Sequence, residues 1–456
     1  MLAVTLPNLA VAVASVVVSA IFLAWAALRL LGAATAPSSA KAVPRRHAES
    51  LPVFTIIVAL YHEASAVRSL VASLDRLDWP PEKLDIKMVL EPDDDETRAA
   101  LEAMPLHRPY EILIAPGIGP RTKPKALNVA LPFARGSFVT VFDAGDRPEP
   151  DQLRHAYEAF IAAGDRLACV QARLTIDSTD DNWLTGMFTA EYAGLFDVLL
   201  PALARSRLPL PLGGSSNYFR TAVLRAVGGW DPYNLTEDAD LGIRLARCRY
   251  HSTVIASSTY EEAPAALAPW LRQRRRWFQG WMQTWLVHMR APRRTWRELG
   301  PAGFLTLQLV VGGTVLSALV HPLFLIGFVV SAGAGGVLDS QGFLGLTITL
   351  ISGTTFVSGY LATAVLGFVG LARRRLKSRA WVLLLVPLHW LLLSLAAWRA
   401  VIKLLRDPYR WDKTEHGCAA TSRSAQKARA AAMSQPAGEH FAAGNIRLSS
   451  ATSGPA

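Results

Sequence analysis

The chain has 456 residues, of which 51% are hydrophobic and only 18% charged, with a mean hydropathy of +0.24 and a formal net charge of +11. Such a balance excludes an ordinary soluble enzyme, because the apolar residues cluster near the N-terminus and between Gly303 and Leu405. It also speaks against a nucleic-acid partner, since Arg45-Arg46 and Arg373-Arg374-Arg375 sit beside apolar runs, as the positive-inside rule and attraction to anionic lipid require, rather than along one groove.

Leu9 to Leu28 is nearly uninterrupted apolar sequence. The small residues Ala33 to Ala40 would suit a cleaved leader, but the first basic cluster, Lys41, Arg45 and Arg46, follows the apolar run instead of preceding it. Residues 1–35 are therefore expected to be an uncleaved membrane helix whose C-terminal side faces the cytoplasm. Between residues 50 and 265 the texture is that of an α/β domain. Phe54–Leu60, Ile86–Glu91, Glu111–Ala115 and Phe138–Phe142 read as buried strands, and Val67, Leu70, Val71 and Leu74 keep helical spacing between the first two. Strands alternating with helices predict a mostly parallel sheet, with ligands beyond the carboxyl ends of its strands. Tyr61-His62-Glu63, Glu91-Pro92-Asp93 and Asp143-Ala144-Gly145-Asp146 all fall at such ends. Cys169, Cys248 and Cys418 follow no disulfide or metal spacing, which suits a reducing compartment.

Residues 266–300 combine Trp and Arg as an amphipathic helix in a membrane interface does. Apolar spans at 303–333, 343–371 and 381–404 follow, so residues 301–405 are expected to be membrane helices. Three full crossings would place Lys403, Arg406, Arg410 and Lys413 outside, against the positive-inside rule. Either the first span turns at His321-Pro322, or the last does not fully cross; the second option keeps Arg373 to Arg379 cytoplasmic. Residues 418–456, rich in Ala, Ser and Arg, are expected to be a disordered tail.

Three patterns carry chemistry. Asp143 and Asp146 at a strand end can hold Mg²⁺ or Mn²⁺ against a diphosphate, although Asp-Ala-Gly-Asp is also good turn chemistry. Thr236-Glu237-Asp238 starts a helix, where Thr236 can cap and an acid can serve as general base. In Gln273-Arg274-Arg275-Arg276-Trp277, Arg can pair with phosphate and Trp can stack on a sugar or sit at the membrane surface. Lys123 and Lys125 serve phosphate or a solvated turn equally well. His62 has no assigned catalytic role, and His321 and His389 fit packing or a polar path through the apolar spans.

In order, Tyr61-His62-Glu63, Glu91-Pro92-Asp93-Asp94, Lys125-Ala126-Leu127-Asn128, Asp143-Ala144-Gly145-Asp146, Gly213-Gly214-Ser215-Ser216-Asn217, Thr236-Glu237-Asp238 and Gln273-Arg274-Arg275-Arg276-Trp277 resemble the family 2 glycosyltransferases. More narrowly the set is similar to the membrane-bound, cellulose-synthase-like, processive β-glycan branch, from about Pro52 to Gly417. The resemblance implies a Rossmann-like GT-A domain flanked by transmembrane helices in the cell (inner) membrane, with the domain cytoplasmic. It puts Tyr61, Glu63, Glu91 and Asp93 around the uridine of a UDP-sugar donor, and Asp143 at the metal and diphosphate with help from Lys125. Asp238, beside Glu237, becomes the base. Gln273, Arg276 and Trp277 hold the diphosphate and the acceptor. The implied reaction is an inverting transfer to a growing β-linked polysaccharide, coupled to export, with membrane lipids as surroundings and any export partner unidentified. Single addition to a lipid or short glycan and a non-catalytic scaffold are the alternatives. Two departures stand out: Gly145 occupies the third position of the usual Asp-x-Asp, which makes Asp143 the firmer ligand than Asp146, and Glu91 stands where many relatives carry Asp.

Overall fold

The computed structural model describes residues 2–37, 51–106, 109–333 and 343–408; the expected tail at 418–456 lies outside the described residues. Eight strands, β1 (Phe54–Leu60), β2 (Leu84–Leu90), β3 (Tyr110–Ile114), β4 (Phe138–Phe142), β5 (Arg147–Pro148), β6 (Leu167–Ile176), β7 (Asn217–Arg220) and β8 (His251–Glu261), form one sheet in the order β3-β2-β1-β4-β7-β6-β8-β5. The first four positions are parallel, as expected for the Rossmann-like half. β7 then runs antiparallel to both β4 and β6, so the sheet as a whole is mixed. The sheet is covered on both faces, which is why β1 reads as a continuous apolar run. Phe54, Ile56, Val58 and Leu60 enter the core on one face and Ile57 the core on the other. Burying each such side chain stabilises the fold by about 1.5–3 kcal/mol.

The N-terminal helix is α1 (Leu2–Thr35), and in the sheet half the helices are α2 (Ala64–Leu74), α3 (Asp95–Glu102), α4 (Lys123–Ala130), α5 (Gln152–Ala163), α6 (Trp183–Gly194), α7 (Leu200–Arg205), α8 (Thr221–Ala226) and α9 (Glu237–Arg247). Beyond them come α10 (Leu267–His288), α11 (Pro292–Leu307), α12 (Thr314–Gly333), α13 (Phe343–Arg373) and α14 (Val386–Arg406). The α2 residues Val67, Leu70, Val71 and Leu74 pack on one sheet face. Ala126, Leu127 and Ala130 of α4 pack on the other, in a core that continues through Trp270 and Phe278 of α10 to Ala396 and Ala397 of α14. The sheet domain and the apolar helices thus share one core.

Among the described residues five helical segments are long and apolar enough to cross a membrane: Val13–Thr35, Trp183–Arg205, Pro292–Ile326, Leu350–Arg373 and Lys377–Arg406. Trp183–Arg205 is mostly enclosed by protein, so its apolarity serves internal packing. The chain does not turn at His321-Pro322, because Pro322 lies inside the continuous helix α12. At the last segment, Arg379 pairs with Asp180 at 2.7 Å ahead of α14, and after it Gln279 and Gln283 of α10 donate to the Pro408 carbonyl at 2.9 and 2.7 Å. Both ends of α14 therefore meet the sheet-domain side. The basic run is anchored on that side too: Arg374 pairs with buried Asp197 at 2.5 Å.

Candidate active site

The carboxyl ends of β1, β2 and β4 open into a cavity of about 760 Å³ that continues past the start of α9 and along α10 into the apolar helices. Tyr61, Glu63, Glu91, Asp143, Asp146, Glu237, Asp238, Gln273, Arg276 and Trp277 all line it. Asp93 and Lys125 do not. Asp93 is exposed and pairs at 2.7 Å with Arg121, which does line the cavity. Lys125 is buried against Glu91 at 2.7 Å.

The turn after β4 splits its two acids. Asp146 is buried, and its Oδ2 accepts the Asp143 N–H at 2.8 Å, whereas the half-buried Asp143 carboxylate faces the cavity and pairs with Lys123. Lys123 also donates to the Gly214 carbonyl at 2.6 Å. It is therefore Lys123, left open between phosphate and solvent by the sequence, that meets Asp143, while Lys125 serves Glu91. Gly214 belongs to a loop held by Gln171, which accepts the Gly213 N–H at 2.8 Å and donates to the Ser215 carbonyl at 3.0 Å. A Cβ on Gly214 would lie 3.6 Å from Asp238 Oδ2, so the Asp143–Lys123 pair and Asp238 meet across this one residue.

Thr236 takes the N-cap position of α9, but its side chain makes no cap hydrogen bond. The loop is held from α10 instead. Asn234 donates to Thr284 Oγ1 at 2.9 Å, and the Leu235 N–H donates to Gln283 Oε1 at 3.2 Å. Gly280 permits this approach, since a Cβ there would fall 2.6 Å from Thr236. Below, Asp240 pairs with Arg244 at 2.7 Å and with His288 of α10 at 3.1 Å. One helix thus fixes the acids and, nearer its N-terminus, carries the Gln-x-x-Arg-Trp residues. Trp277 stacks on Tyr192 with centroids 6.3 Å apart, and Arg274, paired with Glu191 at 2.5 Å, lies over its ring at 4.7 Å. Gln273 Oε1 and Arg276 Nε are buried with no hydrogen-bond partner among the described residues.

Burial lifts the acids of this cavity. Asp238 is pushed up to about 6, and Glu237, under burial and then the charge of Asp238, to about 7. Asp146 reaches about 7 through burial and the neighbouring Asp143. Glu261, at the end of β8, reaches about 8 through burial and then Asp146 and Asp143. The sequence reading missed Glu261. Glu261-Glu262 closing a strand was the available signal, but the polar run His251–Glu261 hides that strand.

No group of three or more His, Cys, Asp or Glu among the described residues could hold a metal unaided. Asp143 and Asp146 still fit Mg²⁺ or Mn²⁺, which take one or two carboxylates and complete their shell with phosphate oxygens. The carboxyls lifted around them mark a place where a divalent cation would offset crowded negative charge.

The model for glycosyl transferase family group 2 matches residues 138–401, and the chain belongs to that family. Over 246 residues it is 29% identical to a beta-monoglucosyldiacylglycerol synthase of Synechocystis sp., covering 52% of this chain and 50% of the relative. It is 26% identical over 244 residues to a probable glucomannan 4-beta-mannosyltransferase 6 of Oryza sativa subsp. japonica, covering 51% and 42%. The chain spans about half the length of the curated relatives it matches. Among solved structures, the mannosyltransferase PcManGT from Pyrobaculum calidifontis, in complex with GDP-Man and Mn²⁺, superposes with a TM-score of 0.52 at 18% identity, over 86% of this chain and 99% of that one. That likeness shows the GT-A fold.

Proposed function

We propose that this member of glycosyl transferase family group 2 transfers a sugar from a nucleoside diphosphate sugar to a lipid acceptor at the membrane face of its catalytic domain. One observation carries the reading. The cavity that holds Asp143 and Asp238 runs on between α1, α12, α13 and α14, where Trp25, Ser317, Thr363 and Trp390 line it. There it meets an aromatic cluster, His321 stacked on Phe356 at 5.6 Å with Tyr360 and Trp390 around them. Beside that cluster lies a cavity of only about 30 Å³. A lipid headgroup entering sideways from the bilayer fits a cavity that reaches these apolar helices. A growing polymer would need a wider way past the aromatic cluster than the roughly 30 Å³ found beside it. Single addition, supported also by the lipid acceptor in the name of the Synechocystis relative, is therefore favoured over the processive synthesis that Gln273, Arg276 and Trp277 suggest.

Tyr61, Glu63 and Glu91 bind the nucleoside, and Asp143, Lys123 and Arg276 its diphosphate, with Asp93 and Lys125 bracing Arg121 and Glu91. Asp143 and Asp146 would hold Mg²⁺ or Mn²⁺, whose chemistry there is neutralisation of charge on the departing diphosphate. Asp238, with Glu237 beside it, accepts the proton of the acceptor hydroxyl. That oxygen bonds to the anomeric carbon as the bond to the diphosphate breaks on the opposite face, so configuration inverts. Trp277 and Gln273 orient the acceptor. UDP- and GDP-sugars are both candidate donors.

For the membrane, α1, α12 and α13 cross and α14 lies in the interface beside α10. This arrangement places Arg373 to Arg379 and Lys403 on the domain side, cytoplasmic by the positive-inside rule, in the cell (inner) membrane. The domains are 1–35, 50–265, 266–300 and 301–405. The test supplies UDP- and GDP-sugars with Mn²⁺ and total lipid extract to the detergent-purified protein. Labelled sugar in the organic phase supports lipid transfer, whereas label only in high-molecular-weight aqueous material overturns it.

A further inference from the structure

Arg29 is the feature that the reaction above leaves unused. It lies on α1, six residues before Thr35 and thus about 9 Å from the domain-side end of the helix. An arginine inside an apolar span is costly and is retained where it binds something. One guanidinium nitrogen donates to Thr363 Oγ1 at 2.8 Å, and the group lies 4.4 Å over the Trp25 ring. Among the described residues no carboxylate forms an ion pair with it. Glu191, across the cavity, is engaged by Arg274 at 2.5 Å and faces His389 at 3.7 Å. Arg29 also lines the catalytic cavity, so its remaining donors face the space that reaches Asp238.

Its neighbours have the same character. Trp25 Nε1 and Ser317 Oγ are buried without a hydrogen-bond partner among the described residues, and both line the cavity alongside Arg29. Trp25, Arg29 and Ser317 also line the small adjoining cavity, so they form the wall between the two spaces. An indole N–H and a hydroxyl without partners, with a guanidinium that makes no ion pair among the described residues and feels only the more distant charge of Glu191, make a site for an oxyanion. A neutral diacylglycerol would leave Arg29 without a direct ion pair; a phosphate would supply one.

We infer that the acceptor lipid carries a phosphate, bound by Arg29 with Trp25 and Ser317, which sets the acceptor's reach toward Asp238. This rests on the lipid-transfer reading and names the chemistry of its acceptor. Two sources share that chemistry, a hydroxyl-bearing phospholipid, whose hydroxyl gives its proton to Asp238 and bonds to the anomeric carbon, and an isoprenoid monophosphate, whose phosphate oxygen bonds to the anomeric carbon while any proton left on the phosphate passes to Asp238. In either case the nucleoside diphosphate leaves.

The test presents the purified full chain, in mixed micelles, with phosphatidylglycerol, an isoprenoid monophosphate or diacylglycerol, and compares the wild type with Arg29→Gln, Arg29→Lys and Ser317→Ala. The inference predicts product from a phosphate-bearing lipid at least tenfold faster than from diacylglycerol, and whichever of the two gives product identifies the source. Arg29→Gln should raise the KM for that lipid tenfold or more, with Arg29→Lys restoring part of it and donor affinity and melting temperature unchanged. Equal use of diacylglycerol, or an Arg29→Gln variant with unaltered lipid KM, overturns the inference while the lipid-transfer reading stands. Should Arg29→Gln melt early, Ser317→Ala and protection of the wild type against heat by the phosphate lipid, but not by diacylglycerol, decide the matter. Polymer from all three mixtures defeats the lipid-transfer reading itself.

Discussion

At the scale of single residues, Asp238 carries opposite consequences for activity and stability. As the proposed base it would work ionised, and its carboxyl is pushed up to about 6, so kcat/KM is expected to fall as pH drops below about 6 and to level off above it. A pH–rate profile checks this. Because the folded value lies above the ordinary 3.8, the fold favours the protonated form, and its contribution to stability declines as pH rises from about 4 through 6. Asp238→Asn should therefore lose turnover by about 10²- to 10⁴-fold yet melt no lower than the wild type at pH 7. A second contrast separates the two lysines. Lys123→Ala should weaken donor binding, since Lys123 holds Asp143 and Gly214; Lys125→Ala should chiefly lower the melting temperature, because it leaves buried Glu91 unpaired. Calorimetric titration with the nucleoside diphosphate and thermal melts would tell them apart. The sequence singled out Asp143 and Asp238 by their place after a strand and at a helix start. The residues alone left Lys123 and Lys125 open, and the resemblance put Lys125 beside Asp143; the structure sets Lys123 there instead, because the choice depends on which of the two, two residues apart at the start of α4, faces the cavity.

At the scale of elements, α10 links the loop bearing Glu237 and Asp238 to the apolar helices. Gly280→Ala would press a methyl group into Thr236, at a cost of about 1–3 kcal/mol, and shift the loop bearing Glu237 and Asp238. The expected result is a fall in kcat of about 10²-fold with donor affinity retained, read from steady-state kinetics beside a binding assay. Strands β1 and β4 were legible to the residue because both are fully buried apolar runs, and β2 and β3 were found within two residues. β6, β7 and β8 were not. β7 has only four residues, and β8 is half-buried and mixes Ser and Thr with apolar side chains, so neither gives a clear period. α6 and α7 show the converse problem, since an apolar run of membrane length is enclosed by protein. Composition does not distinguish lipid from a protein interior.

At the scale of the whole molecule, a GT-A domain is joined to a short helix bundle whose last helix has both ends on the domain side. Cysteine substitutions at Lys377 and Asp407, ahead of and beyond α14, in a chain freed of Cys169, Cys248 and Cys418, should react with a membrane-impermeant thiol reagent from the same face of sealed vesicles. Reaction from opposite faces would mean that α14 crosses. Passage of one sugar to a lipid at the membrane end of the cavity can be checked by following a labelled nucleotide sugar into product with native membranes, Asp238→Asn serving as control. A discrete, organic-soluble glycolipid that disappears in the variant is expected. Label accumulating instead in a water-soluble polymer that lengthens with time would contradict it.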